Sequence, residues 1–187
     1  MRFAYADPPY LGCGRLYARH HPDAMIWDDP ETHRALIERL SDEWPDGWAL
    51  SLHAPSLRTL LPMCPDDVRV GSACKAFAQM RPIRVQYMWE PVIWRGGRTA
   101  KKQGAGAFAR DWVIYGNQPE PRIEDRFVGK KPLAFSEWVF NLLGAEPGDT
   151  LDDLFPGTGA VTAAWHKHTR GPPQMAFAPL FAEVAAR

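Results

Sequence analysis

The sequence predicts an α/β fold, a mostly parallel sheet with helices on both faces, and three observations predict it. Short apolar strands alternate with amphipathic helices along the chain. The first strand, RFAYA, runs directly into Asp7-Pro8-Pro9-Tyr10. A late strand, TLDDLF, runs into a Gly-x-Gly turn with a helix behind it. Both junctions fall at the carboxyl ends of strands, where open α/β sheets place their ligands.

In chain order, Phe3 and Tyr5 alternate with Ala4 and Ala6, which makes Arg2 to Ala6 a short buried strand. Pro8 and Pro9 end it, because neither has a backbone N–H to donate. Leu11 to Asp28 is a polar loop, and Asp29 followed by Pro30 is an N-cap with proline at the first helical position. The helix carries Leu36, Ile37, Leu40 and Trp44 on one face and stops at Pro45. GWALSLHA (47–54) is a second strand, PSLRTLLPM a short helix, and Val68 to Ala73 a third strand. IRVQYMWEPVIWRGG (83–97) alternates Val85, Tyr87 and Trp89, breaks at Pro91 and resumes, giving a kinked strand or two edge segments.

The segment RGGRTAKKQGAGAFAR (95–110) holds five basic residues and no acidic one, and is expected to form a basic loop. WVIY (112–115) is one more strand. KPLAFSEWVFNLLG (131–144) sets Phe135, Trp138, Val139, Leu142 and Leu143 on one helical stripe, with Gly144 as the C-cap. TLDDLFPGTGA (150–160) is the strand and glycine turn, VTAAWHKH the helix behind it, and the remainder suffices for one short strand and one short helix. With no repeat and no linker, residues 1–187 are expected to form one domain.

A formal net charge of zero announces no global basic field, so any nucleic-acid contact must come from a local patch. Cys13, Cys64 and Cys74 show no C-x-x-C spacing, which fits a reducing cytoplasm without a disulfide framework. Neither a signal peptide nor a membrane-length apolar run is visible, so a cytoplasmic protein without a membrane partner is expected. His20-His21 and His166-x-His168 lack partnering ligands and are expected at the surface, with no metal site. Asp152 and Asp153 are adjacent, point to opposite faces of their strand and cannot act as a pair.

A Gly-x-Gly turn alone fits an ordinary tight turn as well as a ligand cradle. The Asp-Pro-Pro-Tyr stretch is more specific. It exposes an acid, a rigid Pro-Pro backbone and an aromatic ring together at a strand's carboxyl end.

Taken together, ADPPY, KPLAFSEWVFNLL and DDLFPGTGAVTAAW resemble the amino-group DNA methyltransferases that use S-adenosylmethionine. The order of the motifs, catalytic box first and cofactor turn last, is similar to the circularly permuted, beta-class arrangement of a Rossmann-like methyltransferase. WEPVIW (89–94) is similar to the family's late strands. The resemblance implies a catalytic group of Asp7, Pro8, Pro9 and Tyr10. In it, Asp7 and the Pro8 carbonyl would each accept one N–H of an exocyclic amine and so favour the pyramidal nitrogen that attacks a methyl group, while Pro9 stiffens the backbone and Tyr10 offers a flat face for an unstacked base. That chemistry needs no cysteine and leaves Cys13 a bystander. It implies a cofactor group of Asp7, Lys131, Pro132, Asp153, Phe155, Gly157, Thr158 and Gly159. Aspartate rather than serine at the head of the box implies adenine N6 over cytosine N4.

The chain departs from that family at its end. An acid about 20 residues after the glycine turn would hold the ribose hydroxyls, but that distance falls on Ala178 and Pro179, with Glu183 only later. The fold is therefore expected to be shortened, with a second copy or a partner subunit completing the cofactor pocket. The region available for target recognition is also short. Arg95, Arg98, Lys101, Lys102 and Arg110 either track DNA phosphates or form a solvated loop. Three alternatives accompany the DNA reading: an RNA substrate, a small-molecule amine, and a catalytically silent subunit that binds nucleic acid or a protein.

Overall fold

The computed structural model describes residues 1–19, 21–76, 82–99, 108–116 and 130–170. Six strands are formed: β1 (Arg2–Ala6), β2 (Gly47–Ser51), β3 (Arg69–Lys75), β4 (Trp89–Gly96), β5 (Trp112–Tyr115) and β6 (Thr150–Asp153). Five helices accompany them: α1 (Gly14–Tyr17), α2 (Pro30–Glu43), α3 (Leu57–Leu60), α4 (Leu133–Leu142) and α5 (Ala160–Thr169). The strands lie side by side in the order β5-β3-β4-β2-β1-β6. β1 is parallel to both β2 and β6, and β3 to β5, while β4 runs antiparallel to its neighbours β2 and β3. Five strands therefore point one way, and the mostly parallel expectation holds.

Period-2 alternation divides the core into two layers. Phe3 and Tyr5 of β1 face α4 and α5, in a cluster with Val92, Trp94, Phe135, Trp138, Val139, Phe140 and Trp165. Ala4 and Ala6 face the other way, towards α2 and α3, in a cluster with Leu36, Ile37, Leu40, Trp44, Trp48 and Leu60. The expected α2 face is buried, and Asp29 accepts the Glu31 amide at 3.0 Å as its N-cap. Gly144 closes α4 with φ +61°, as a left-handed C-cap requires. Gly71 serves packing instead: a Cβ there would stand 2.9 Å from the Trp138 ring and 2.8 Å from the Asp111 carbonyl oxygen.

The reading of 83–97 needs correction. Residues 83–88 lie outside any strand, with Val85 80% exposed, and β4 is central rather than an edge. Pro91 is tolerated there because of its register. Its partner Ser72 sends its N–H away to the Asp111 carbonyl at 2.9 Å, so β3 asks nothing of the missing proline N–H. On the other side the Pro91 carbonyl accepts the Leu52 amide just past the end of β2. The strand and helix expected after α5 lie outside the described residues, as does His20.

Candidate active site

β1 and β6 are parallel neighbours in the register Tyr5↔Asp153, and the Leu154 amide donates to the Tyr5 carbonyl at 2.9 Å. Segments 7–10 and 154–159 thus leave the same end of the sheet from strands about 4.8 Å apart. Residues nearly 150 positions apart in sequence become the two walls of one crevice.

Alternation places further groups at this end. Asp7 follows Phe3 and Tyr5 on the α4 face, and Lys75 follows Gly71 and Ala73 of β3. Glu90 precedes Val92 and Trp94 on the same face, and because β4 runs backwards its first residues meet the carboxyl ends of its neighbours. Lys131, just before α4, brings a buried ammonium into their midst. Its Nζ lies 3.1 Å from Asp7 Oδ1, donates to the Tyr10 hydroxyl at 2.7 Å and lies 3.4 Å from Glu90 Oε2. The Tyr10 hydroxyl donates to Glu90 Oε2 at 3.2 Å, and Lys75 pairs with Glu90 Oε1. One face of the Tyr10 ring stacks on His53, with centroids 5.6 Å apart and planes 10° from parallel. Pro8 is buried, Pro9 partly so.

Two carboxylates and two ammoniums make the cluster neutral, and the two acids behave differently. Burial raises the Asp7 pKa above the ordinary range, more than the Lys131 ammonium lowers it. Burial also opposes the charge of Glu90, but Lys131 and Lys75 together outweigh it and hold that pKa at about 2. For Lys131, Asp7 and Glu90 overcome the desolvation that would otherwise discharge it, so its pKa stays raised.

The opposite wall is the glycine turn. Gly157 and Gly159 have φ of +48° and +73°, and the Gly159 amide donates to the Pro156 carbonyl. A Cβ on Gly159 would meet nothing within 4 Å, so backbone there is open to a close ligand. Asp153 accepts from Thr162 of α5 at 2.8 Å through Oδ2, while its Oδ1 is buried without a hydrogen-bond partner among the described residues. Burial raises its pKa against that hydrogen bond. Phe155 packs edge-on against Trp27 at 5.0 Å, and Pro156 to Thr158 are exposed. Outside β6 a groove of about 640 Å³ runs past Trp44, Asp152, Asp153, Thr162 and Trp165. An open glycine backbone, an unanswered buried carboxylate oxygen and the amino end of α5 fit a cofactor bearing hydroxyl and amino donors and a carboxylate.

The expected site residues are not all gathered here. Lys131 and Pro132 sit with the Asp7 group rather than along the glycine turn. Arg95 pairs with Asp67 at 2.7 Å, and Arg98 grips Asp149 with one nitrogen at 2.9 and 2.8 Å from its two oxygens. Arg110 lies over the Trp112 ring, and its carbonyl accepts the Trp138 indole N–H. Lys101 and Lys102 lie outside the described residues. Glu90 and Lys75 were not foreseen as site residues. The available signal was an acid at an inward position of the otherwise apolar WEPVIW. Among the described residues no helix is long and apolar enough to cross a membrane.

No family model and no curated protein matches the chain. Among solved structures, the chain is similar to the M1.HpyAVI–SAM complex, with a TM-score of 0.56 and 15% identity over 90% of this chain and 78% of that one. It is likewise similar to the crystal structure of M1.HpyAVI, with a TM-score of 0.51 and 15% identity over 89% and 76% of the two chains. At that identity the likeness carries the fold alone, and with the sheet order and the two helical layers it gives this chain a Rossmann-like α/β fold shared with M1.HpyAVI.

Proposed function

We propose that this protein transfers a methyl group from S-adenosylmethionine to the N6 amine of adenine in DNA. The observation that carries the reading is the side-by-side exit of Asp7 and the glycine turn from β1 and β6. Asp153, Phe155, Gly157, Thr158 and Gly159 hold the cofactor, with Lys131 and Pro132 closing the side towards α4. The cofactor, when bound, supplies an electrophilic methyl group on a sulfonium. Asp7 would accept one amine N–H and the Pro8 carbonyl the other, which returns the lone pair to nitrogen for the new N–C bond while the methyl–sulfur bond breaks and its electron pair leaves on sulfur. The nitrogen then carries an excess proton, which Asp7 is suited to take because its burial favours the protonated acid. Tyr10 supports the base on the ring face not covered by His53.

That β1 and β6, the first and last strands among the described residues, are sheet neighbours supports a permuted chain acting as one domain. The open groove beside β6 supports completion of the pocket by a second copy or another subunit. Arg98 and Arg95 are both paired with carboxylates, which favours a second reading in which the amine sits on a small molecule and no polymer phosphates are gripped. Calorimetric titration with S-adenosylmethionine, followed by tritiated methyl transfer to duplex DNA, single-stranded DNA, RNA and free adenosine, tests both. Binding with label on duplex DNA supports the first reading, label confined to free adenosine selects the second, and label confined to RNA puts RNA in place of DNA. Folded protein that takes up no cofactor at millimolar concentration overturns both in favour of a silent subunit.

A further inference from the structure

Lys131 poses a problem for the reaction above. Its ammonium sits 3.1 Å from Asp7 Oδ1, on the carboxylate that has to receive the substrate amine. Were these two groups alone, the ammonium would serve Asp7 only and weaken it as an acceptor. They are not alone. Glu90 is anchored through Oε1 by Lys75, and its Oε2 faces both the Lys131 ammonium at 3.4 Å and the Tyr10 hydroxyl at 3.2 Å. The same hydroxyl accepts from Lys131 at 2.7 Å. The ammonium is thus shared among three oxygens, only one of them on Asp7, and the aromatic faces of Tyr10 and Phe135 lie 5.3 and 5.2 Å from it.

We propose that Glu90 is a positioning residue for methyl transfer, drawing the Lys131 ammonium and the Tyr10 hydroxyl towards β4 so that Asp7 stays available to the amine. The inference rests on the adenine-methylation reading and adds a residue to it. Glu90 acts through Lys131 and Tyr10, and Lys75 sets how strongly it can act. Around Asp7 the charged and titratable groups are Lys131, Glu90 with Lys75 behind it, and the hydroxyls of Tyr5, Tyr10, Tyr17 and Tyr115, with the thiols of Cys13 and Cys74 further out. His53, stacked on the Tyr10 ring, is the further titratable group beside the cluster, so the Asp7 carboxyl-carbon resonance is what reads the coupling at Asp7 itself.

The test is the pH dependence of kcat and kcat/KM in Glu90→Gln, Glu90→Asp and Lys75→Gln, with a carboxyl-carbon NMR titration of Asp7 in the same full-length proteins. Removing the Glu90 charge ends the sharing and leaves the Lys131 ammonium to Asp7, 3.1 Å away. The acid limb should then move to lower pH, KM for the base should rise, and kcat should fall by about 10- to 100-fold. Glu90→Asp should restore part of the loss. Lys75→Gln removes a cation instead and should move the acid limb the opposite way, which keeps the test intact if Glu90→Gln fails to fold. Wild-type turnover with an unmoved acid limb in both Gln variants overturns the positioning role, since a merely structural residue lowers the active fraction without shifting that limb. If the wild type transfers no methyl but the Asp7 resonance shifts as described, the methylation reading fails and the charge coupling stands.

Discussion

Replacing Asp7 by Asn keeps shape and a carbonyl acceptor but removes the charge, which makes it the sharpest probe of the site. Two acceptors serve the amine in this reading, the Asp7 carboxylate and the Pro8 carbonyl. Loss of one oriented group that meets developing charge costs roughly 10²- to 10³-fold in kcat, or about 3–4 kcal/mol. The neutral amide retains a weaker hydrogen bond, since charge-assisted ones are about twice as strong. Asp7→Asn should therefore fall near the lower figure and Asp7→Ala near the upper. Stability should go the other way. The pKa of Asp7 is raised on folding, so the folded protein binds its proton more tightly than the unfolded chain does, and the ionised form costs stability at neutral pH. Neutral Asn removes that cost, and Lys131 keeps Glu90 as a partner. Single-turnover tritium transfer and thermal unfolding at pH 7.5 measure the two quantities. A transfer rate in Asp7→Ala within tenfold of wild type refutes the mechanism, and a marked fall in Tm for Asp7→Asn refutes the electrostatic account.

Three further outcomes follow from the geometry. Gly159→Ala should cost about 1–2 kcal/mol from its left-handed backbone, yet leave the fold intact, because nothing stands within 4 Å of the new methyl; calorimetry should show S-adenosylmethionine binding weakened at least tenfold, and an unchanged Kd would move the cofactor elsewhere. Gly71→Ala should destabilise by about 1–3 kcal/mol in urea unfolding, as its methyl would press on the Trp138 ring and the Asp111 carbonyl; an unchanged midpoint would contradict the close approach. Glu90 and Asp149 both sit at about 2, below their usual values of 4.5 and 3.8. Their contribution is complete above those usual values and is lost as pH falls towards 2, so Glu90→Gln should flatten the fall in urea midpoint between pH 5 and pH 2.5.

How much of this was legible beforehand depends on the range of the cause. Asp29 and Pro30 set the start of α2 by local chemistry, Gly144 sets the end of α4, and the alternation in RFAYA sorts the two layers. Pro91 misled because its tolerance depends on where Ser72 sends its N–H, a fact of β3 and β5 rather than of β4. Glu90 went unnoticed as a site residue for a related reason. Its partners come from β3, from the segment after β1 and from the start of α4, and no spacing within WEPVIW announces them. Arg98 looked like a free cation because Asp149 is 51 residues away. Charge pairing over such distances is written in the topology.

That topology also couples the site to the stability of one seam. In the proposed reaction Asp7 and the glycine turn are kept together where β1 holds β6, through the Leu154–Tyr5 and Thr150–Met1 backbone bonds and the Arg2–Asp152 ion pair at 2.7 Å. β6 is short, and among the described residues it has no partner on its outer side. An edge strand whose only neighbour lies nearly 150 residues away in sequence is closed late in folding and opens early. Such opening parts Asp153 and the glycine turn from Asp7 without disturbing β2, β3 or β4. Amide exchange along β6 should accordingly be faster than along β2, and S-adenosylmethionine, which bridges the seam in the proposed reaction, should slow β6 selectively. Equal slowing of both strands would show that the ligand binds a site the seam does not divide.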